Sequence, residues 1–235
     1  MAEHIVSSFD EDLAQIDGLI RAMGERSSLM VETATRALLT SDAALAQRII
    51  SDDALMDAHQ RDLDERAITL IAKRQPMAQD LRAVVGALRM GADLERIGDL
   101  AKNIAKRVGA VGQTATPKAL AASIEAMSEL VLNQVKGVVD HYVARDAEAL
   151  KQLRIDDEQI DIRYTSVFRE LLTYMMEDPR NITACTHLLF CAKNLERIGD
   201  HVTNIAENAY YVLTGEQLPA NRPKFDDTAT ATPAT

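Results

Sequence analysis

Residues 94–105 read Leu-Glu-Arg-Ile-Gly-Asp-Leu-Ala-Lys-Asn-Ile-Ala, and residues 195–206 read Leu-Glu-Arg-Ile-Gly-Asp-His-Val-Thr-Asn-Ile-Ala. Nine of the twelve positions coincide at a constant offset of 101. Upstream the correspondence continues at an offset of 104, pairing Asp42 with Asp146, Asp52-Asp53 with Asp156-Asp157, and Asp57 with Asp161. Pro76 and Pro179 stand 103 apart, which locates the small differences in length. The chain is therefore an internal repeat with a unit of about 100 residues.

The unit is helical. Gly (10) and Pro (6) are scarce among 235 residues, and no run alternates long enough to make a sheet. Pro76, Pro117 and Pro179 suit the first position of a helix, with Thr116 and Asp178 as N-caps. Ser41-Asp42 and Arg145-Asp146 interrupt two other amphipathic runs. The pattern predicts six helices, over 3–39, 43–74, 77–109, 117–143, 147–176 and 180–213, with a loop across 109–117. The expected fold is all-α, two pseudo-symmetric three-helix bundles, the first over 1–112 and the second over 113–215. Residues 216–235, small, polar and Pro-containing, read as a disordered tail.

Composition narrows the function. Net charge is −10 and aromatics are 4% with no Trp, which argues against nucleic acid as a partner. The N-terminal residues lack the basic and apolar regions of a signal peptide, and no uncharged apolar stretch approaches the ~18 residues of a membrane span. A cytoplasmic location is expected, with Cys185 and Cys191 as buried, unpaired thiols.

At ~100° per residue, Leu81, Val85 and Leu88 share a face that Glu95, Asp99 and Asn103 continue, so the core-facing stripe is expected to change sides near Gly91. The last helix repeats the pattern with Glu196, Asp200 and Asn204. The second and fifth helices offer Asp53/Asp57 and Asp157/Asp161, each four residues apart. A hairpin closing at residue 75 sets Asp53 near 97 and Asp57 near 93, level with Glu95 and Asp99. Each repeat thus gathers four carboxylates and an amide, whose mutual repulsion calls for a cation. Oxygen donors suit Mg²⁺, Ca²⁺ or Mn²⁺, with iron also compatible. The residues do not choose among Mg, Mn, Fe, Zn and Ca. Arg96 and Arg197 are rival counter-ions that are expected to point partly away. Mid-helix Gly98 and Gly199 imply a closely approaching neighbour helix. His201 adjoins Asp200 but faces Leu100 in the repeat, and reads as a capping or surface residue. His59, His141 and His187 show no liganding pattern. Glu207 extends the acidic face where the first repeat has Lys106.

A carboxylate-bridged di-metal enzyme or store would need Glu-x-x-His pairs, and the chain has none. A helical adaptor, with or without metal, fits better, and no residue is expected to carry catalysis. The segments Asp93-Leu-Glu-Arg-Ile-Gly-Asp99…Asn103-Ile-Ala and Asn194-Leu-Glu-Arg-Ile-Gly-Asp-His201…Asn204-Ile-Ala-Glu207 closely resemble the signature of the PhoU family, accessory proteins of bacterial phosphate-specific transport. His187-Leu-Leu-Phe, the opening His4–Glu11 and the Arg74-Gln75-Pro76 joint resemble it too, so the likeness covers about residues 3–215. The resemblance implies two similar three-helix bundles carrying multinuclear metal clusters on acidic motifs. These map here onto Asp53/Asp57 with Glu95/Asp99 and Asp157/Asp161 with Glu196/Asp200. It also implies a negative regulator of phosphate-starvation signalling and phosphate uptake. Such a protein links the transporter's ATPase subunit to a sensor histidine kinase, meets the membrane only through those partners, and often forms a homodimer. Leu100 and Lys106 against His201 and Glu207 make unequal ion sites an expectation.

Overall fold

A computed structural model describes residues 2–112 and 118–219, with side chains from Phe9 onward. Helix α1 spans Ala2–Thr40, α2 Ala43–Arg74, α3 Gln79–Ala105, α4 Val108–Val111, α5 Lys118–Val143, α6 Ala147–Asp156, α7 Glu158–Glu177 and α8 Ile182–Thr214, with a 3₁₀ turn at Pro179–Asn181 before α8. No strand occurs among the described residues.

The same short joint opens α2 and α6. Ser41 (φ 54°) and Arg145 (φ 57°) take left-handed conformations that reverse the chain. Asp42 and Asp146 then cap the next helix, accepting hydrogen bonds from Leu45 N (2.9 Å) and Ala149 N (3.0 Å). Asp178 caps the 3₁₀ turn that starts at Pro179, so α8 begins three residues later than that Pro suggests.

Other boundaries differ from expectation. Pro76 does not start α3. Gln75 (φ 48°) ends α2 in a left-handed cap, and Ala78 (φ 50°) precedes α3, leaving Pro76–Met77–Ala78 as a true turn. The fifth predicted helix divides at Asp157 into α6 and α7, and α4 occupies part of the predicted loop. The helix start at Pro117 and the tail beyond Pro219 lie outside the described residues, as do the side chains of the opening up to Ser8.

The apolar stripe of α3 does not change sides at Gly91. Val84, Ala87, Gly91, Leu94, Gly98, Ala101 and Ala105 form one continuous buried seam, flanked by Met90, Ile97 and Ile104. This spacing of three and four residues keeps one face inward along the whole helix. Leu81 is exposed, and Val85 and Leu88 lie at the edge of the seam.

Helices α1–α3 pack on one another, and α5–α8 do the same. The most extensive contact in the molecule joins the two sets, α3 against α8, with α1 against α5 beside it. One apolar core runs through both, from Ile16, Met23 and Leu63 to Leu120, Val167 and Leu195. A buried Ser128–Thr35 hydroxyl pair (2.8 Å) and Tyr142 Oη donating to Asp17 (2.6 Å) tie α5 to α1. Gly86 permits the α3–α8 approach, because a Cβ there would meet Val212 at 2.1 Å. This packing places the acidic residues of each half beside a helix–helix seam.

Candidate functional site

In the first half, Gly98 faces Met56 and Gly91 faces Leu63. The α2–α3 hairpin is therefore centred on residue 77, about half a helical turn beyond the expected 75, because the turn at Pro76–Ala78 adds residues that helical pairing ignores. The shift sets Asp53 opposite residue 101 rather than 97. There it meets Lys102, whose Nζ donates to Asp53 Oδ2 (2.5 Å) and Asp99 Oδ1 (2.6 Å). Lys102 is only 18% exposed and Asp53 14%. Arg96 covers the outer side, 3.1 Å from Asp99 Oδ2 and 3.5 Å from Glu95 Oε2. It faces the cluster it was expected to turn from.

The four acids of the first half bear on one another electrostatically. Burial pushes the Glu95 carboxyl above its ordinary value, and Asp99, Asp57 and Asp53 push it further against the opposing pull of Arg96. Asp99 moves the other way. Burial would raise it, but the hydrogen bond and charge of Lys102, with Arg96 behind, hold it below its ordinary value. Lys102 loses hydration, which favours its neutral form, yet its bonds to Asp53 and Asp99 hold it above its ordinary value.

In the second half, Gly199 lies under Asp157, whose Oδ1 stands 2.6 Å from the place a Cβ would take, with Ile160 beside it. The close approach inferred from both mid-helix glycines is present, apolar at Gly98 and carboxylate-lined at Gly199. The division between α6 and α7 falls at Asp157 itself, and this residue is buried (1% exposed), as are Asp161 and Glu196. The corresponding Asp53, Asp57 and Glu95 are only half-buried. Burial raises Glu196 above its ordinary value. Lys193 pulls it down, Asp200 and Asp161 push it up, and the net effect is upward. Lys193 Nζ reaches Glu196 Oε1 at 2.8 Å from the rim, 40% exposed and above the Tyr164 ring. Among the described residues, buried Glu196 Oε2 has no hydrogen-bond partner. Thr203 stands where the first half has Lys102, and its buried hydroxyl has no partner among the described residues either.

The asparagines stand apart. Asn103 is exposed, and Asn204, also exposed, donates to Asp93 Oδ1 at 3.4 Å. His201 Nδ1 meets the same oxygen at 2.8 Å, so it bridges α8 to α3 rather than joining the acids of α8. Glu207 pairs with Arg154 (2.5 Å). Between the halves Asp93, Asn204, Arg154 and Glu207 border a cleft of about 1050 Å³, onto which Glu95, Arg89 and Tyr211 also open. Among the described residues, no three His, Cys, Asp or Glu side chains close around a common point as ligands to a metal would.

Lys102, Lys193 and Thr203 escape a reading from acids alone, and Asp93 one from acids paired four residues apart. Lys102 carried a signal: it lies three residues after Asp99, on the face toward α2, and is replaced by Thr in the repeat. Elsewhere, both cysteines are buried and free, and burial pushes Cys191 up to about 12. His187 Nδ1 contacts Arg107 at 3.2 Å, away from both clusters.

The PhoU domain model matches residues 20–108 and again 124–209. A protein of Rhizobium meliloti (strain 1021), described as a phosphate-specific transport system accessory protein PhoU homolog, is 57% identical over 97% of this chain and 96% of its own length. A Caulobacter vibrioides protein of the same description is 47% identical over 96% of this chain and 98% of its own. The crystal structure of PhoU from Pseudomonas aeruginosa superposes with a TM-score of 0.85 at 33% identity, covering 88% of this chain and 100% of that one. The phosphate transport system regulatory protein PhoU from Streptococcus pneumoniae superposes with a TM-score of 0.82 at 27% identity, over 90% and 99% of the two chains.

Proposed function

This chain belongs to the PhoU family, and from that premise we propose that it is a cytoplasmic regulatory adaptor of phosphate-specific transport. It restrains phosphate uptake and phosphate-starvation signalling by linking the transporter's ATPase subunit to a sensor histidine kinase. It acts through docking and performs no catalysis. It reaches the membrane through these partners, since no helix among the described residues is long and apolar enough to cross one. A homodimer is the working assembly.

The observation that carries the reading is the gathering of carboxylates at equivalent seams in both halves, α2 with α3 and α6–α7 with α8, on a chain of this family. The oxygen donors of the second seam are of the type a hard divalent cation takes, and they would have to draw together to hold one. Glu196 Oε2 is a buried carboxylate oxygen without a hydrogen-bond partner among the described residues, Asp200 and Asp161 act on that carboxylate electrostatically, and Asp157 lies against Gly199 one turn along α8. These four residues would hold the ion, which would supply positive charge between helices that otherwise repel. In the first seam the Lys102 ammonium already stands between Asp53 and Asp99, and a metal does not fit there. That pairing favours a second reading for the first half, an acidic face that docks on basic partner surfaces without metal.

Pull-down of the tagged chain from cells grown with and without phosphate tests the adaptor role. Recovery of a transporter ATPase or a sensor kinase, in amounts that change with phosphate, is expected. Recovery of neither in either condition would refute it.

A further inference from the structure

The chain folds back after α8. Gly215 (φ 80°) ends the helix in a left-handed cap, and the Thr214 hydroxyl accepts from Glu216 N at 3.1 Å. Arg154 Nη2 then donates to Pro219 O at 2.7 Å, while its Nε holds Glu207, about two helical turns before the helix end. The Arg154 side chain is only 12% exposed. Neither anchor belongs to the repeat, since the first half has Ile50 for Arg154 and Lys106 for Glu207. Gln217 and Leu218 thereby line the cleft between the halves, and Pro219 brings the next sixteen residues to its edge.

We propose that the C-terminal segment 220–235 docks in cis in this cleft, with Phe225 in the adjoining apolar cavity and Asp226 and Asp227 on Arg89. The proposal needs neither a bound metal nor any particular transport partner.

The adjoining cavity, of about 280 Å³, shares Arg89, Asn208 and Tyr211 with the cleft. Its apolar side includes Leu81 and Val85, which the buried seam of α3 leaves outside or at its edge. Phe225 is the one aromatic residue after Tyr211, and its ring would cover that apolar surface. Arg89 is exposed, with no ion pair or hydrogen bond among the described residues. Asp226 and Asp227 directly follow Phe225, so a ring in the small cavity leaves both carboxylates at that guanidinium. Arg222 and Lys224 precede it and fall in the larger cleft, where Asp93 and Glu95 line the wall. Residues 220–225 reach up to ~20 Å, against the ~8–10 Å between the axes of packed helices, so the segment can cross from α8 to α3.

The wall between suits an extended chain. Asn204 and Asn208 stand one turn apart on α8, about 6 Å along its axis. They spend side-chain N–H groups on Asp93 and on the Asn204 carbonyl. Their side-chain oxygens accept nothing among the described residues. Alternate residues of an extended chain lie ~6.6 Å apart, a spacing that brings two peptide N–H groups to those oxygens. A docked segment covers the cleft side of Glu95 and Arg96, so a partner that uses this face must displace it.

The test is the binding of a fluorescein-labelled peptide of residues 219–235 to full-length chains, read as anisotropy. The Phe225→Asp chain should bind it at least about tenfold more tightly than the unmodified chain, whose tethered segment competes at roughly millimolar effective concentration. Adding Arg89→Glu to Phe225→Asp should remove binding, and a peptide carrying Asp226→Lys and Asp227→Lys should restore it. Equal affinity of the unmodified and Phe225→Asp chains would overturn the proposal. So would binding by neither below about 1 mM. An Arg89→Glu/Phe225→Asp chain of unchanged melting temperature that binds the original peptide, or fails to bind the charge-reversed one, would overturn it as well.

Discussion

In α3 a lysine stands where α8 has a threonine, and the two halves of this molecule diverge around that position. The first cluster is half-buried, and Lys102 and Arg96 offset two of the charges of its four acids. The second is more deeply buried, with a Glu196 oxygen and the Thr203 hydroxyl that have no hydrogen-bond partner among the described residues. Duplication preserved the acids and the glycines that let the helices approach. What differs is the cation that reaches the acids, Lys102 from within the seam in the first half and Lys193 from the rim in the second.

The contrast can be broken most forcefully at Lys102. Lys102→Met leaves Asp53 and Asp99 facing one another, and should cost about 2–3 kcal/mol in metal-free denaturant unfolding, less than the ~3–5 kcal/mol of a fully buried pair because this one is partly exposed. Adding Asp53→Asn should recover part of this. Equal losses in the single and double variants would show that the pair does not couple.

Next in size are the glycines. Gly199→Ala drives a methyl to 2.6 Å from Asp157 Oδ1 and 3.0 Å from Ile160, which should destabilise by about 2 kcal/mol. Gly98→Ala meets flexible methionines, Met56 at 3.3 Å and Met30 at 3.6 Å, and the gain in helix propensity of up to ~1 kcal/mol should make it neutral or stabilising. Comparison of thermal melts checks both, and equal effects would deny that the seams differ.

Acid titration should separate Asp99 from Glu196 by sign, with Glu95 of the first cluster shifting upward like Glu196. Asp99 is held below its ordinary 3.8, so its contribution is complete above 3.8 and is lost as pH falls through its lower folded value. Glu196 is raised above its ordinary 4.5, so the folded state binds the extra proton and stability falls as pH rises from 4.5 through the folded value. Without metal at neutral pH, Glu196→Gln should therefore stabilise by about 1 kcal/mol and Asp99→Asn should destabilise by about as much. The same sign for both in chemical denaturation would contradict the account.

The smallest effect is expected at the bridge between halves. Asp93→Asn weakens contacts to His201 and Asn204 in α8 and should cost about 0.5–1 kcal/mol. An unchanged unfolding midpoint would show that this bridge carries no stability.

Much of the fold is legible because its signals are local. Asp42 and Asp146 cap their helices through their own side chains, and the LERIGD repeat announces two copies of one unit. What stayed hidden depends on long-range register. The turn at Pro76–Ala78 moves the hairpin centre from 75 to 77, and that shift brings Lys102 to Asp53. The α3 seam at 84, 87, 91, 94, 98 and 101 competes in sequence with the apolar set Leu81, Val85 and Leu88, and only the neighbouring helices choose between them. The acids were legible by spacing. Their depth of burial was not, because the division of the helix at Asp157 leaves no mark in the periodicity.

The most direct measurement is anomalous diffraction from crystals of the unmodified chain soaked in Mn²⁺. The account predicts anomalous density among Asp157, Asp161, Glu196 and Asp200 and an intact Lys102–Asp53 contact in the other half. Density between Asp53 and Asp99, with Lys102 swung away, would contradict it.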